Sequence, residues 1–268
     1  MSLFEFDFMI RALAASAMVG VAAPAIGVFL VQRRLSLMGD GIGHMALTGV
    51  AVGVLTATSP MLGALVAAVI GAVTIELLRE RGRTAGDVAL AIIFYGGIAG
   101  GVFLMSLAPN AGTGLISFLF GSVLTVLPSE LYFVAILSGA VLVVVAIFGR
   151  RLFAVSYDEE VARAAGLNVR VLSLLLAVMA AVTVVVAMRV VGLLLVAALM
   201  VIPVAAAQNL FRSFRGTALG AMGIGCGVGI GGVISAYYID AAPGAAIVLG
   251  ALIVYLATLA VANWRTAR

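Results

Sequence analysis

Nine apolar runs follow one another along this chain, each long enough to cross a hydrocarbon core of about 30 Å, with only short polar connectors between them. They lie near 9–31, 40–58, 60–78, 87–107, 131–149, 171–188, 190–210, 216–238 and 243–262. In lipid no water satisfies a backbone amide or carbonyl, so each run must close its own hydrogen bonds as a helix. The predicted fold is all-α: a polytopic membrane protein of eight or nine transmembrane helices, one domain over 1–268 with no linker or internal repeat. The count is eight if the segment around Arg189–Gly192 is a re-entrant break rather than a tight turn. Hydrophobic residues make up 65% of the chain and charged residues 10%, far from the balance of a soluble domain. The first run has no basic stretch before it and is too long for a signal-peptide core, so it is expected to remain as a span.

The charges set an orientation. Arginines at 33, 34, 79, 81, 83, 150, 151, 163, 170, 212, 215, 265 and 268 fall on one side of successive spans, leaving Arg11 and Arg189 on the other. By the positive-inside rule the arginine-rich side is cytoplasmic, which puts the amino terminus outside. The net charge of +4 is thus topological, and separate membrane-flanking clusters give no nucleic-acid signal. No lysine occurs, which excludes an ATPase phosphate-binding loop. The GDGIG at 39–43 lacks the strand–turn–helix setting of a dinucleotide fingerprint. Cys226 is the sole cysteine, so neither an internal disulfide nor a CxxC metal site can form.

One pair of residues breaks the apolar pattern. Asp40 and the single histidine, His44, are four apart within RRLSLMGDGIGHMALTG, and on a helix they share a face. An ionisable group at membrane depth costs roughly 2.5–3.5 kcal/mol on insertion scales and usually faces a cavity or a partner. A carboxylate with an imidazole suits zinc, manganese or ferrous iron better than magnesium or calcium, which favour all-oxygen shells. A helix beginning near Arg34 would place Asp40 roughly 9 Å and His44 roughly 15 Å inward, close to the midplane. Glycines 39, 41, 43 and 49 leave room for close approach. The simpler alternative is that Asp40 caps the second helix and His44 bonds a neighbouring carbonyl.

The longest polar stretch on the cytoplasmic side, SYDEEVARAAGLNVR at 156–170, is predicted to be a short helix. Ser156 and Glu159 have capping-box spacing; Asp158, Glu159 and Glu160 suit the positive helix end; Gly166 can close it in a left-handed turn. Such a helix either docks on another subunit or simply joins two spans. Asp240, in the external YYIDAAPG turn, could help accept a metal ion or be an exposed turn residue, and Glu130 at the outer end of the fifth span has the same two readings. The glycines at 220, 223, 225, 227, 229, 231 and 232 give the eighth span small faces for helix packing or a dimer seam. Pro203 should kink the seventh span and free a carbonyl.

Four segments together resemble the membrane-spanning permease subunits of the ABC-3 type, which import zinc, manganese or iron in bacteria. RRLSLMGDGIGHMALTGVAVG is similar to the family's Asp/His signature and SFLFGSVLTV at 117–126 to its Leu-Phe-Gly segment. DEEVARAAGLNV at 158–169 resembles its coupling helix, and VVGLLLVAALMVIPVAAA at 190–207 its proline-containing late span. The resemblance implies a type II importer permease with Asp40 and His44 as metal-coordinating positions. It also implies that 156–168 touches the ATPase through Ser156, Asp158, Glu159, Glu160, Ala164 and Gly166.

The implied assembly sits in the bacterial cytoplasmic membrane: a second copy of the chain, ATP held on a separate ATPase subunit, and an extracytoplasmic metal-binding protein delivering the ion. No cofactor is permanently bound, and the chain is not itself an enzyme. Gly43 stands where the family often has serine, Thr48 where it often has proline, and Ser122 where an aspartate commonly follows Phe-Gly. Two rival readings fit the same residues: an ABC permease for iron chelates or cobalamin-like cargo, and an ion-coupled secondary carrier using Asp40 and His44 as a relay.

Overall fold

The computed structural model describes residues 7–80, 86–107, 119, 121 and 128–266. These form ten α-helices: α1 Asp7–Gln32, α2 Met38–Leu55, α3 Pro60–Glu80, α4 Gly86–Ser106, α5 Pro128–Tyr157, α6 Glu159–Ala164, α7 Val169–Val190, α8 Val196–Leu210, α9 Phe214–Ile239 and α10 Pro243–Thr266. Among the described residues, eight are long and apolar enough to cross a membrane; α6 and the 15-residue α8 are not.

Every expected span appears as a helix, with one change of character. The run at 190–210 begins with a break: Gly192 has φ 90°, a conformation open to glycine, and a 3-10 turn at Leu193–Leu195 precedes α8. The seventh apolar run is therefore a short helix entered through a distorted turn. Pro203 lies buried inside α8, where its missing N–H leaves the Leu199 carbonyl without its usual partner. α5 runs eight residues past the expected boundary at 149, so its last turns project beyond the span.

α1 is largely buried and contacts α5, α7, α8 and α9; α2 is clasped between α3 and α4 and leans on α7; α4, α5 and α10 present mostly outward faces. Backbone-to-backbone contact at glycines sets this arrangement. A Cβ on Gly49 would lie 2.1 Å from the Gly63 carbonyl oxygen of α3, so α2 and α3 touch through their main chains. Gly20 meets Gly225 and Ser16 meets Gly229, which makes α1 and α9 antiparallel neighbours. On α9 the packing and seam expectations divide by position. Gly225 and Gly229 meet α1 and Gly232 meets α10, whereas beside Gly223, Gly227 and Gly231 there is open space.

The segment 117–126 lies outside the described residues except for Leu119 and Gly121. Gly121 has φ 74°, and a Cβ there would sit 2.6 Å from the Gly192 amide nitrogen. The Phe-Gly glycine thus lies directly on the break before α8.

Candidate functional site

α1 ends at Gln32, and the turn to α2 passes through Arg34 in the left-handed region at φ 60°. α2 starts at Met38 rather than near Arg34. Its amino cap is Leu37, with no side-chain capping bond, so Asp40 does not cap the helix but lies in its first turn. From Met38, Asp40 is roughly 3 Å and His44 roughly 9 Å along the helix axis. The pair therefore lies in the half of α2 nearest the Arg33–Arg34 turn.

Both side chains are half-buried on α2. His44 stacks edge-on against Phe94 of α4, ring centroids 4.5 Å apart, and its Nδ1 is buried with no hydrogen-bond partner. The alternative of His44 satisfied by a neighbouring carbonyl through Nδ1 is thereby absent. Among the described residues no hydrogen bond or ion pair reaches the Asp40 carboxylate.

Two close contacts and one ordinary van der Waals contact surround the pair. Gly97 of α4 faces the His44 main chain, where a Cβ would lie 2.6 Å from the His44 carbonyl carbon. Gly39 abuts Ala197 at the start of α8, and Gly43 faces Leu193 of the distorted turn. Thr48 donates 2.8 Å to the Gly97 carbonyl, tying α2 to α4 one turn beyond His44.

Among the described residues no group of three or more His, Cys, Asp or Glu gathers to hold an ion. Asp40 and His44 thus offer at most two ligands from one chain, too few for the four-ligand shell of a structural zinc site. Asp240 does not join them. It is exposed, sits at φ 55° as the residue closing α9, and lies at the opposite end of the bundle, since α9 runs antiparallel to α1. Glu130 is engaged by Arg189 in an ion pair joining the start of α5 to the end of α7.

The short helix after α5 is present, with a different cap. The Asp158 carboxylate accepts from the Glu160 and Val161 amides at 2.9 and 3.0 Å, making it the amino cap of α6. Ser156, expected to cap, is instead buried in the last turn of α5 with its hydroxyl unpartnered, because α5 continues through Tyr157. The helix proper is only Glu159–Ala164, so the expected 156–168 reduces to six helical residues and their flanks. Gly166 closes it as expected, at φ 80°, with Leu167 donating 3.1 Å to the Ala162 carbonyl.

A charged cluster not anticipated from the sequence fastens α6 to the bundle. Glu159 accepts from Arg79 of α3 at 2.7 Å and from Arg33 after α1; Glu76 of α3 accepts from Arg79 at 2.7 Å and lies 3.7 Å from Arg33; Arg33 also donates 3.0 Å to Ser173 of α7. Glu76 is 4% exposed, and a carboxylate buried that far survives only by being paired. Burial pushes the Glu159 carboxyl up, but hydrogen bonds from Arg79 and Arg33 and their charges outweigh it and hold it below its ordinary value of 4.5. The signal available in the sequence was Glu76 itself, an acid inside an apolar run three residues before an arginine.

Fold and site together define a multi-pass membrane protein with an acid–imidazole pair in one membrane-length helix and a separately clamped short helix, α6. The ABC 3 transport family model matches residues 5–262, and the chain belongs to that family. It is 34% identical over 253 residues to the manganese transport system membrane protein MntC of Listeria innocua, covering 94% of this chain and 90% of that protein. It is 27% identical to the high-affinity zinc uptake system membrane protein ZnuB of Haemophilus influenzae, covering 95% and 97% respectively. The solved structure described as PsaBC from Streptococcus pneumoniae in complex with Fab superimposes with a TM-score of 0.87 at 30% identity, covering 96% of this chain and 92% of that one. The chain is the membrane-spanning permease component of an importer of this family.

Proposed function

We propose that this permease carries a divalent transition metal across the bacterial plasma membrane, with Asp40 and His44 as the ligands that the chain offers to the ion. The observation that carries this is the buried His44 Nδ1 with no partner, one helical turn from a carboxylate that no other described residue engages. Two copies supply two such pairs, and a site shared between them could reach four ligands without any single chain holding the ion tightly. That suits a carrier, which must release its cargo. The manganese-named relative is more similar than the zinc-named one, so manganese is the first ion to assay.

An ATPase subunit receives α6 on the cytoplasmic face, and a metal-binding protein presents the ion at the outer face. The clamp at Glu159 supports this division of labour, because it joins an exposed short helix to the ends of α1 and α3 next to the turn that starts α2.

The test is uptake of radiolabelled manganese by cells or proteoliposomes containing the assembled transporter. Asp40→Ala and His44→Ala should each abolish uptake while membrane insertion and assembly persist. Retained uptake in both variants removes the site, and uptake by this chain without an ATPase would make it an ion-coupled carrier instead.

A further inference from the structure

A cavity of about 760 Å³ opens between α1, α5 and α9, away from Asp40 and His44. α5 and α9 both pack on α1 but hardly touch each other, which leaves a slot over the α1 surface. Its walls are apolar: Phe29, Val145, Phe153, Phe214, Ala218 and Met222. Phe214 braces it, with ring centroids 5.3 Å from Phe29 and 4.5 Å from Phe153. Gly149, in the lining, and Gly223, next to Met222, have open space where a side chain would stand.

Arg150 and Arg215 crown one end of the slot. Both are exposed, no acidic residue lines the cavity, and among the described residues neither pairs with a carboxylate. Elsewhere Arg33, Arg79, Arg170 and Arg189 each meet a glutamate. The two crowning arginines are also level with one another in the bilayer. A span of about 30 Å uses about 20 residues, so α5, starting at Pro128, leaves the hydrocarbon near 148. Arg215 is the second residue of α9. From these charges the apolar walls run to Leu142 on α5 and Met222 on α9, about 10–12 Å deeper and most of the way through one leaflet of about 15 Å.

We infer that this slot holds an anionic phospholipid of the cytoplasmic leaflet, its phosphate between Arg150 and Arg215 and an acyl chain against Phe29, Phe153 and Phe214. Basic pockets between spans at that level recognise negatively charged headgroups, whereas a zwitterionic lipid would bring an ammonium towards two guanidinium groups with no carboxylate to receive it. A second copy is the poorer occupant. A twofold axis along the membrane normal keeps both copies at the same depth, so it would present its own arginine-rich end at the level of Arg150 and Arg215.

The experiment uses the purified, delipidated full chain in neutral detergent. Phosphatidylglycerol and phosphatidylcholine with identical acyl chains are titrated separately, and bound lipid is counted by native mass spectrometry. The expected result is one phosphatidylglycerol bound about tenfold or more tightly than phosphatidylcholine, with the preference weakened by salt. The Arg150→Ala/Arg215→Ala double variant should lose the preference, the Arg150→Lys/Arg215→Lys variant should keep most of it, and Ala218→Trp should lower occupancy by both lipids.

Equal affinities in the unaltered chain, or a preference that survives the double alanine change, overturn the assignment. So does disulfide cross-linking of two copies through Leu219→Cys in a Cys226→Ala background, which would give the slot to the second copy. Should the double alanine variant misfold, Ala218→Trp decides: unchanged phosphatidylglycerol binding there also overturns it.

Discussion

Glu159 and Arg79 are joined by a 2.7 Å hydrogen bond although 80 residues separate them, one on the six-residue α6 and the other at the end of the membrane helix α3. Arg33 reaches the same Glu159 oxygen and also lies beside Glu76, so two guanidinium groups are shared between two carboxylates. Arg33 opens the turn that leads to α2. Ionic contacts, rather than a flexible linker alone, thus join α6 to the base of the helix carrying Asp40 and His44.

Glu159→Gln keeps the shape of this joint and removes its charge. The expected outcome is a transporter that assembles and hydrolyses ATP but moves several-fold less metal per ATP. Simultaneous measurement of phosphate release and manganese uptake in proteoliposomes checks this. Equal coupling ratios for the variant and the unaltered protein would show that the joint transmits nothing.

The pH dependence follows from the direction of the Glu159 shift. Its folded-state carboxyl titrates below the ordinary 4.5, so the charge contributes stability that is fully present above that value and is lost as pH falls through the depressed one. The difference in thermal stability between the unaltered protein and Glu159→Gln should be constant from about pH 6 to 8 and vanish only in strong acid. A difference that fades between pH 6 and 7 would place the titrating group elsewhere.

Capping separates Asp158 from Ser156. Asp158→Ala removes the acceptor for two amides of α6 and should cost about 1 kcal/mol. Ser156→Ala removes a buried hydroxyl that bonds nothing and should be neutral or slightly stabilising. Thermal unfolding of the purified permease, with uptake measured alongside, distinguishes the two.

The spans were legible because long apolar runs in lipid have one solution, and the Asp40/His44 pair was legible because an acid and an imidazole stand out in such a run. The start of α2 was not, since the left-handed turn at Arg34 uses no glycine or proline and delays the helix by four residues. Ser156 carried the spacing of a capping box, but α5 ran on through it and Asp158, equally suited to the task, took the cap. The clamp depends on residues far apart in sequence, Arg33, Glu76, Arg79 and Glu159, which only the packing of α1, α3 and α6 brings together. Gly97 and Phe94, which frame His44 from α4, read in sequence as ordinary span residues.

Gly97 provides the sharpest check on that frame. A methyl group there would stand 2.6 Å from the His44 carbonyl carbon and 2.7 Å from the Met45 nitrogen, both main-chain atoms that cannot swing aside, so α4 must move off α2 where Phe94 touches the imidazole. Gly97→Ala is expected to reduce manganese uptake nearly as far as His44→Ala, although it removes no ligand. Gly139→Ala on α5, where an added methyl meets nothing within 4 Å, should leave uptake unchanged and controls for a general effect of alanine in these helices. Gly43→Ser adds a hydroxyl at a position with ordinary clearance, 3.4 Å from the nearest Leu193 atom, and should fold and transport. If Gly97→Ala transports normally, the α2–α4 contact does not position His44, and the ion path must lie on another face of α2.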